Sequence, residues 1–230
     1  MERFEVIIPA AGSGSRMGGD TPKLLLEIGG MPIIRRTVKV FTDNFPECRI
    51  TVVAGGESEE DIRDALSDLP VRFAPGGDTR ANSVYNGLKS LEGLEDISSD
   101  TKVLIHDGAR CLVTKDIICR VLEALDRFDA AVCGVAEKNT LKKVARRGSD
   151  IIVESTPCRS NYVEVQTPQG FKYHAMVSCF KPELISHEIT DDVMFAELAD
   201  IDVAVVDGSY SNIKITTPED ISSAEGMLKV

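Results

Sequence analysis

Between Phe4 and Val135 the chain alternates short apolar runs with longer amphipathic segments. The apolar runs have the length and β-branched content of buried strands: Phe4 to Pro9, Ile50 to Ala54, Val71 to Ala74, Lys102 to His106 and Ala130 to Val135. Segments of helical period separate them: Ile33 to Phe41, Glu59 to Leu69, Arg80 to Leu91 and Lys115 to Phe128. Continuous apolar strands that alternate with helices predict an α/β protein, with a mostly parallel, twisted sheet covered by helices on both faces.

The pattern changes in the second half of the chain. Two short runs, Thr140 to Ala145 and Ile151 to Ser155, flank a polar turn and predict a projecting hairpin, an arm at about residues 137–160. The expected later elements are helices near Tyr173 to Phe180 and Asp191 to Leu198, a strand at Val203 to Val206, and a last helix opened by Thr217 and Pro218. No internal repeat or linker stands out in the 230 residues, so we expect a single domain, 1–230, that carries the arm.

Charge and cysteine content limit the partners of this chain. The formal net charge of −11 argues against nonspecific nucleic-acid binding, which relies on a broad basic surface. The six cysteines are scattered without a CxxC pair, which is typical of reduced thiols. The first apolar run begins at Phe4, and no run approaches the length of a membrane span. We therefore expect a cytoplasmic protein with no nucleic-acid or membrane partner.

A loop of small residues follows the first strand and carries two cations. It runs from Ala10 through Gly12 and Gly14 to Arg16 and Lys23. Glycine lets the backbone approach a ligand closely, and backbone N–H groups near cations suit a polyphosphate. An arginine and a lysine together also suit the stabilisation of charge during phosphoryl or nucleotidyl transfer. The alternative is a surface turn with two solvated cations.

This loop matches neither of two familiar phosphate-binding motifs. A P-loop ends in Gly-Lys-Ser/Thr, but here Asp20 and Thr21 follow the last glycine. A dinucleotide fingerprint that used Gly12 and Gly14 would need a third glycine where Met17 stands. The sequence therefore favours neither an ordinary NTPase nor a simple dehydrogenase.

Further candidates follow the third and fourth apolar runs, at the sheet edge where open α/β folds bind their ligands. Gly77, Asp78 and Ser83 combine close backbone approach with short polar groups that suit the edge of a base. Asp107 suits a metal or substrate hydroxyls, and Arg110 suits a phosphate. The alternatives are a helix cap at Asp78 and a structural ion pair between Asp107 and Arg110.

Polar candidates continue towards the end of the chain. Thr140 and Arg159 lie in the predicted arm, and Thr167 lies in a polar stretch after it. Thr190 precedes two aspartates, which is also the pattern of a helix cap followed by first-turn acids. Lys214 interrupts an apolar, strand-like run. Such a lysine usually points to solvent, and a phosphate ligand would explain it equally well.

Taken in order, these motifs resemble the 2-C-methyl-D-erythritol 4-phosphate cytidylyltransferase family of the non-mevalonate isoprenoid pathway. The resemblance extends from the Ala10 to Lys23 loop, through Gly76 to Ser83 and His106 to Arg110, to Thr167, Thr190 and Lys214. It implies a Rossmann-like nucleotidyltransferase fold and a homodimer clasped by its arms. The implied reaction joins CTP to a polyol phosphate and releases pyrophosphate, with Mg²⁺ as cofactor.

The resemblance also implies roles for individual residues. The catalytic residues would be Arg16, Lys23 and Lys214. The nucleotide would be bound by Ala10, Ala11, Gly12, Gly14, Gly77, Asp78, Ser83 and Ala109. The polyol phosphate would be bound by Asp107, Arg110, Thr140, Arg159, Thr167 and Thr190, with Thr140 and Arg159 supplied by the arm of the partner subunit. Asp107 is the candidate protein ligand of Mg²⁺, which the CTP phosphates would mainly hold.

Two other functions compete with this interpretation. Ribitol-5-phosphate cytidylyltransferase is a sister activity with the same phosphate loop, and the stretch from Tyr210 to Thr217 suits it. The stretch from Gln166 to Phe171 and the pair Gly108 and Ala109 favour the methylerythritol enzyme. The second competitor is a noncatalytic nucleotide-binding module. The presence of Arg16 and Lys23 argues against it, because binding alone would tolerate their loss better than transfer would.

Overall fold

The computed structural model describes residues 3–12, 21–185 and 189–228. Its strands are β1 (Glu5–Pro9), β2 (Glu27–Ile28), β3 (Met31–Pro32), β4 (Arg49–Ala54), β5 (Val71–Pro75), β6 (Lys102–Ile105), β7 (Ala130–Ala136), β8 (Lys143–Arg147), β9 (Asp150–Ser155), β10 (Val163–Lys172) and β11 (Val203–Asp207). Its α-helices are α1 (Ile33–Asn44), α2 (Glu59–Ala65), α3 (Arg80–Lys89), α4 (Lys115–Ala124), α5 (Tyr173–Cys179), α6 (Val193–Leu198) and α7 (Pro218–Leu228).

Seven strands form the central sheet in the order β11-β7-β10-β6-β1-β4-β5. The pairs β1–β4, β1–β6, β4–β5 and β7–β11 are parallel, and only β10 runs antiparallel to its neighbours β6 and β7. The prediction of a mostly parallel α/β sheet is confirmed. Because β1, β4 and β6 are parallel, the loops that follow them meet at one edge of the sheet.

Side chains of the central strands alternate between two apolar layers. Val6 and Ile8 of β1 pack into the layer that α1, α2, α4 and α7 cover. Ile7 points to the opposite face, where α3, α5 and α6 complete a second layer. Both layers exclude water from the strands, which fixes the register of the sheet. Among the described residues, no helix is long and apolar enough to cross a membrane.

The central strand β10 does not appear in the sequence prediction. Its sequence contains Gln166, Pro168 and Gly170, so it lacks the apolar run and β-branched content of its neighbours. The pairing of β10 with β7 shifts register between Val165 and Gln169. Pro168, which has no N–H to donate, therefore lies outside the regular hydrogen-bonded pairing of the two strands. This irregular stretch carries the polar side chains of β10 to the edge of the sheet where the candidate site lies.

Several predicted boundaries differ from the structure. α2 ends at Ala65 and α4 at Ala124, before the predicted ends, because tighter turns with i to i+3 bonds replace the helical pattern there. The apolar run around Lys214 is not a strand in the structure. It follows the loop after β6 through isolated contacts, including a bond from the Ile215 N–H to the Ala109 carbonyl oxygen of 2.9 Å.

The predicted arm is present as a two-stranded hairpin of β8 and β9, separate from the central sheet. Its first strand begins at Lys143 rather than at Thr140. All six residues of β9 are exposed, among them Ile151 and Val153, each 57% exposed. Isolated hairpins are only marginally stable in water, and grouped exposed apolar side chains are typical of an interaction surface.

We predict that Gly87→Ala destabilises the protein by about 1–3 kcal/mol. A Cβ at this position of α3 would lie 2.5 Å from Cγ2 of Ile7 and 3.0 Å from Cγ2 of Val53, so the helix would have to move off the sheet. Gly226→Ala is the matched control, because its Cβ would meet no atom within 4 Å and α7 would gain about 0.5–1 kcal/mol of helix propensity. Urea unfolding of both variants measures the difference, and equal stabilities would contradict the close packing of α3.

Candidate active site

Two adjoining cavities lie at the edge of the sheet where β1 and β6 end. The larger has a volume of about 480 Å³ and the smaller about 220 Å³. Arg80, Asp107 and Lys214 line both of them. A carboxylate and two cations therefore form the common wall of the two cavities.

The larger cavity brings together most of the residues predicted to bind a nucleotide. Its lining includes Ala10, Ala11, Gly12, Lys23, Gly77, Asp78, Ser83 and Ala109. Two more of the predicted residues, Gly14 and Arg16, lie outside the described residues. The lining comes from the loops after β1, β5 and β6, as expected for ligand binding at this edge of an open α/β sheet.

The loop between β5 and α3 is held in shape by short hydrogen bonds. The Ser83 hydroxyl accepts a bond of 3.1 Å from the Gly77 N–H and donates one of 3.0 Å to the Thr79 carbonyl oxygen. A Cβ on Gly77 would lie 2.5 Å from Cβ of Asn82, so the close approach requires glycine. The N-cap of α3 is Thr79, not Asp78, since the Thr79 hydroxyl accepts from the Asn82 N–H. Asp78 is thus not used as a cap, and it lines the cavity.

The smaller cavity collects the residues predicted to bind the second substrate within this chain. Arg110, Thr167 and Thr190 line it. The irregular part of β10 adds Gln166 and Gln169 to the same wall. Donors from three separate segments of the chain therefore converge on one small, polar space.

Asp107 is the electrostatic centre of the site. Its carboxylate lies 2.8 Å from Nζ of Lys214, 3.0 Å from Nη2 of Arg80 and 3.7 Å from Nε of Arg110. Burial acts to raise the pKa of the Asp107 carboxyl, but the three cations outweigh burial and hold its pKa well below the usual range. The structural ion pair between Asp107 and Arg110 is present, and it is one part of a larger cluster.

Backbone contacts place Lys214 and Arg110 beside this carboxylate. Arg110 donates a bond of 2.7 Å from Nη1 to the Asn212 carbonyl oxygen. The buried Asn212 amide donates to the Thr167 carbonyl oxygen at 2.9 Å. The segment that carries Lys214 is thereby tied to the loop after β6 and to β10. Burial lowers the pKa of Arg110 despite the nearby charge of Asp107, so this cation lies in a poorly hydrated place.

His106 supports the site from within the core. Its ring is fully buried, with Nε2 3.1 Å from the Arg110 carbonyl oxygen and Nδ1 3.0 Å from the Thr167 hydroxyl. Burial lowers the pKa of His106 to about 4, so the ring is neutral near pH 7. The same Thr167 hydroxyl accepts a bond of 3.1 Å from the Asp107 N–H. His106 and Thr167 together fix the backbone that presents Asp107.

Sequence reasoning gave Arg80 no role, and it offered Asp192 as a first-turn acid of a helix capped by Thr190, which is wrong. Arg80 is the first residue of α3 and contacts both Asp107 and Asp192, whose carboxylate is fully buried. Asp192 occupies the N-cap position of α6, but its side chain makes no capping hydrogen bond. Its neighbour Asp191 accepts the bond from the Met194 N–H at 3.1 Å, and Thr190 does not cap the helix either. The sequence did contain a signal for Arg80, because an arginine directly follows a helix cap at the edge of the sheet where ligands bind.

Two predicted residues lie apart from both cavities in this single chain. Thr140 and Arg159 are exposed and belong to the arm region. Arg159 donates a bond of 2.8 Å to the Lys138 carbonyl oxygen at the base of the arm. A role for either residue at the site therefore requires a second subunit.

A magnesium ion fits the site only if the substrate supplies most of its ligands. Among residues 3–12, 21–185 and 189–228, no group of three or more His, Cys, Asp or Glu side chains is arranged to hold a metal. Mg²⁺ is commonly bound through one or two carboxylates together with substrate phosphates. Asp107 provides one such carboxylate at the wall between the cavities, which fits an ion carried mainly by a triphosphate.

An α/β sheet with two adjoining, cation-lined cavities at its ligand edge suits an enzyme that joins two anionic substrates, as nucleotidyltransferases do. The family IspD, 2-C-methyl-D-erythritol 4-phosphate cytidylyltransferase, matches residues 4–230. The chain belongs to this family. Its members are cytidylyltransferases, so the chain is an enzyme of the nucleotidyltransferase class.

Relatives and solved structures agree with this assignment over nearly the whole chain. The 2-C-methyl-D-erythritol 4-phosphate cytidylyltransferase of Bacillus mycoides is 39% identical, and the alignment covers 99% of this chain and 98% of that protein. The enzyme of the same name from Microcystis aeruginosa is 38% identical, with 97% of each chain covered. The crystal structure of 4-diphosphocytidyl-2C-methyl-D-erythritol synthase from Anaerococcus prevotii gives a TM-score of 0.82 at 32% identity, with 99% and 98% coverage.

Proposed function

We propose that this protein transfers the cytidylyl group of CTP to 2-C-methyl-D-erythritol 4-phosphate and releases pyrophosphate, in the synthesis of isoprenoid precursors. The observation that carries the proposal is the pair of cavities that share Arg80, Asp107 and Lys214. CTP occupies the larger cavity, which we call the nucleotide cavity. The polyol phosphate occupies the smaller one, which we call the acceptor cavity. The α-phosphorus and the attacking phosphate oxygen then meet at the shared wall.

The reaction needs no protein base. A phosphate monoester has a second pKa of about 6, so its oxygen is largely ionised near neutrality and attacks the α-phosphorus directly. The main task of the protein is to bring two polyanions together in line and to offset their repulsion. Although the chain has a net charge of −11, the two cavities are lined by cations that can offset this repulsion: Lys23, Arg80, Arg110 and Lys214.

Each cation has a place in this scheme. Lys23 lines the nucleotide cavity, and together with Arg16 it stabilises the charge that develops on the α-phosphate. Lys214 and Arg110 line the acceptor cavity and bind the phosphate of the polyol. Nε of Arg110 is buried, makes no hydrogen bond among the described residues and lies 3.7 Å from the Asp107 carboxylate, so its contact with that carboxylate is purely electrostatic. Mg²⁺ bound to the triphosphate would neutralise further phosphate charge, with Asp107 as its protein ligand.

The arm completes the site in a homodimer. The exposed apolar side chains of β8 and β9 are a surface suited to a second copy, and Thr140 and Arg159 would reach the acceptor cavity of that copy. A cytoplasmic location accompanies this proposal. It is supported by six cysteines that are all free thiols, as expected in a reducing compartment.

We predict that pyrophosphate release from CTP is faster with 2-C-methyl-D-erythritol 4-phosphate than with ribitol 5-phosphate. The two acceptors share a phosphate on a polyol, so both bind the same cations and differ in the contacts that the rest of the acceptor cavity makes. The measurement is a coupled pyrophosphate assay with each acceptor at equal concentrations and with Mg²⁺ present. Faster turnover of ribitol 5-phosphate would overturn the acceptor assignment.

We predict that Lys23→Ala lowers kcat by about 100-fold to 1,000-fold, because it removes a cation that acts mainly on the transition state. The Kd for CTP, measured by calorimetry, changes by less than about threefold. Lys115→Ala is the matched control, since Lys115 is an exposed lysine at the start of α4 and lines neither cavity. Parallel losses of turnover and of CTP affinity would instead indicate a module that only binds nucleotide.

A mixed-dimer experiment tests the contribution of the arm. Lys23→Ala removes a catalytic cation from the site of its own subunit. Arg159→Ala removes a ligand from the site of the partner subunit. Each homodimer therefore has two impaired sites and low activity. After the two variants are mixed and allowed to exchange subunits, half of the dimers are mixed and each has one intact site. Activity should then recover to roughly a quarter of the wild-type value. If Arg159 acted within its own subunit, mixing would restore nothing. A monomeric mass by ultracentrifugation with full activity would also contradict the proposal.

A further inference from the structure

The carboxylate of Asp192 is buried behind the walls of the two cavities and lines neither of them. Asp192 is 0% exposed. Both of its oxygens accept hydrogen bonds from Arg80, from Nη1 and from Nη2, each of 2.7 Å. A bidentate pair of this kind sets the guanidinium in one orientation.

The guanidinium that Asp192 orients also contacts Asp107, at the wall between the two cavities. Its Nε donates a bond of 3.1 Å to Oδ1 of Asp107, and the side chain lines both cavities. Lys214 contacts the other oxygen, Oδ2, of the same carboxylate. Arg80 therefore holds Asp107 at Oδ1 independently of the contact between Lys214 and Oδ2.

The backbone of Asp192 is fixed independently. Oε1 of Gln169, in the irregular part of β10, accepts bonds from the N–H groups of Asp192 and Val193 at 2.8 and 2.9 Å. Two residues earlier, Thr190 lines the acceptor cavity. The ion pair thus joins the acceptor wall, carried by β10 and the start of α6, to the nucleotide wall, carried by the start of α3.

We propose that Asp192, acting through Arg80, is a positioning residue that keeps the acceptor wall in register with the nucleotide wall. Burying an ion pair gives little net stability compared with apolar packing, so stability alone does not account for this arrangement. Alignment does, because a displacement of about 1 Å between reacting groups costs on the order of 100-fold in rate. The inference rests on the proposed transfer from CTP to a polyol phosphate.

The test is the isosteric variant Asp192→Asn, which removes the charge without touching either cavity. We expect kcat/KM for the acceptor to fall by about 100-fold, with the loss divided between kcat and KM. The Kd for CTP, measured by calorimetry without acceptor, changes by a much smaller factor than kcat/KM for the acceptor, since Asp192 affects the nucleotide cavity only through Arg80 and the rest of that cavity's lining is unchanged.

Glu5→Gln is the matched control. Glu5 is also a fully buried carboxylate with arginine partners, Arg49 at 2.5 Å and Arg72 at 2.9 Å, but it lies at the opposite end of β1 from the site. Its loss should reduce the melting temperature while leaving both kcat and the acceptor KM of the folded enzyme unchanged. If Asp192→Asn shows this same profile, Asp192 is a structural residue only and the inference is wrong.

A double variant separates alignment from folding. In Arg80→Gln the buried Asp192 charge has lost its cation, whereas Arg80→Gln with Asp192→Asn leaves two neutral amides. The double variant should melt at a higher temperature than Arg80→Gln and still lack efficient use of the acceptor. Recovery of acceptor kcat/KM together with stability would overturn the inference, and this comparison serves equally if Asp192→Asn alone does not fold. Failure of the wild-type enzyme to turn over the acceptor would instead refute the proposed function.

Discussion

The ion cluster around Asp107 is the interaction on which the rest of the site depends. One carboxylate just after β6 is held by Arg110 from the same loop and by two cations from distant parts of the sequence, Arg80 at the start of α3 and Lys214 before α7. Arg80 follows β5, and it reaches Asp107 because β5, β4, β1 and β6 are neighbouring parallel strands that end at one edge of the sheet. Without Asp107, the three cations would repel one another in a partly buried space.

The same cluster explains how an acidic protein binds two anions. Asp107 keeps Arg80, Arg110 and Lys214 close together, and Asp192 is a second partner of Arg80. The cluster therefore presents cations at the wall between the cavities, where they can meet phosphates. Asp107 also lies on the wall that the two cavities share. In the proposed assignment, the nucleotide and the acceptor therefore lie on either side of one carboxylate, which is the proximity that direct transfer between them requires.

Local patterns in the sequence were sufficient for the parallel strands, the helices between them and the arm, because each has a simple period of apolar residues. They were insufficient for β10, whose Gln166, Pro168 and Gly170 break any strand pattern. The candidate residues after β1, β5 and β6 were predictable from the rule that ligands bind at strand ends. The pairing of Arg80 with Asp192 was not, since it joins residues 112 positions apart through tertiary structure alone. Asp78 and Thr190 could also be interpreted as helix caps, because helix capping and ligand binding use the same residue types.

A crystal structure with a nonreactive CTP analogue and 2-C-methyl-D-erythritol 4-phosphate bound together would show whether the two substrates meet at Asp107. We expect the triphosphate in the larger cavity beside Lys23 and the acceptor phosphate within hydrogen-bond distance of Lys214. We also expect Arg80 to contact Asp107 when both substrates are present. An acceptor phosphate bound away from Lys214, or both substrates on one side of Asp107, would show that the two cavities do not divide the substrates in this way.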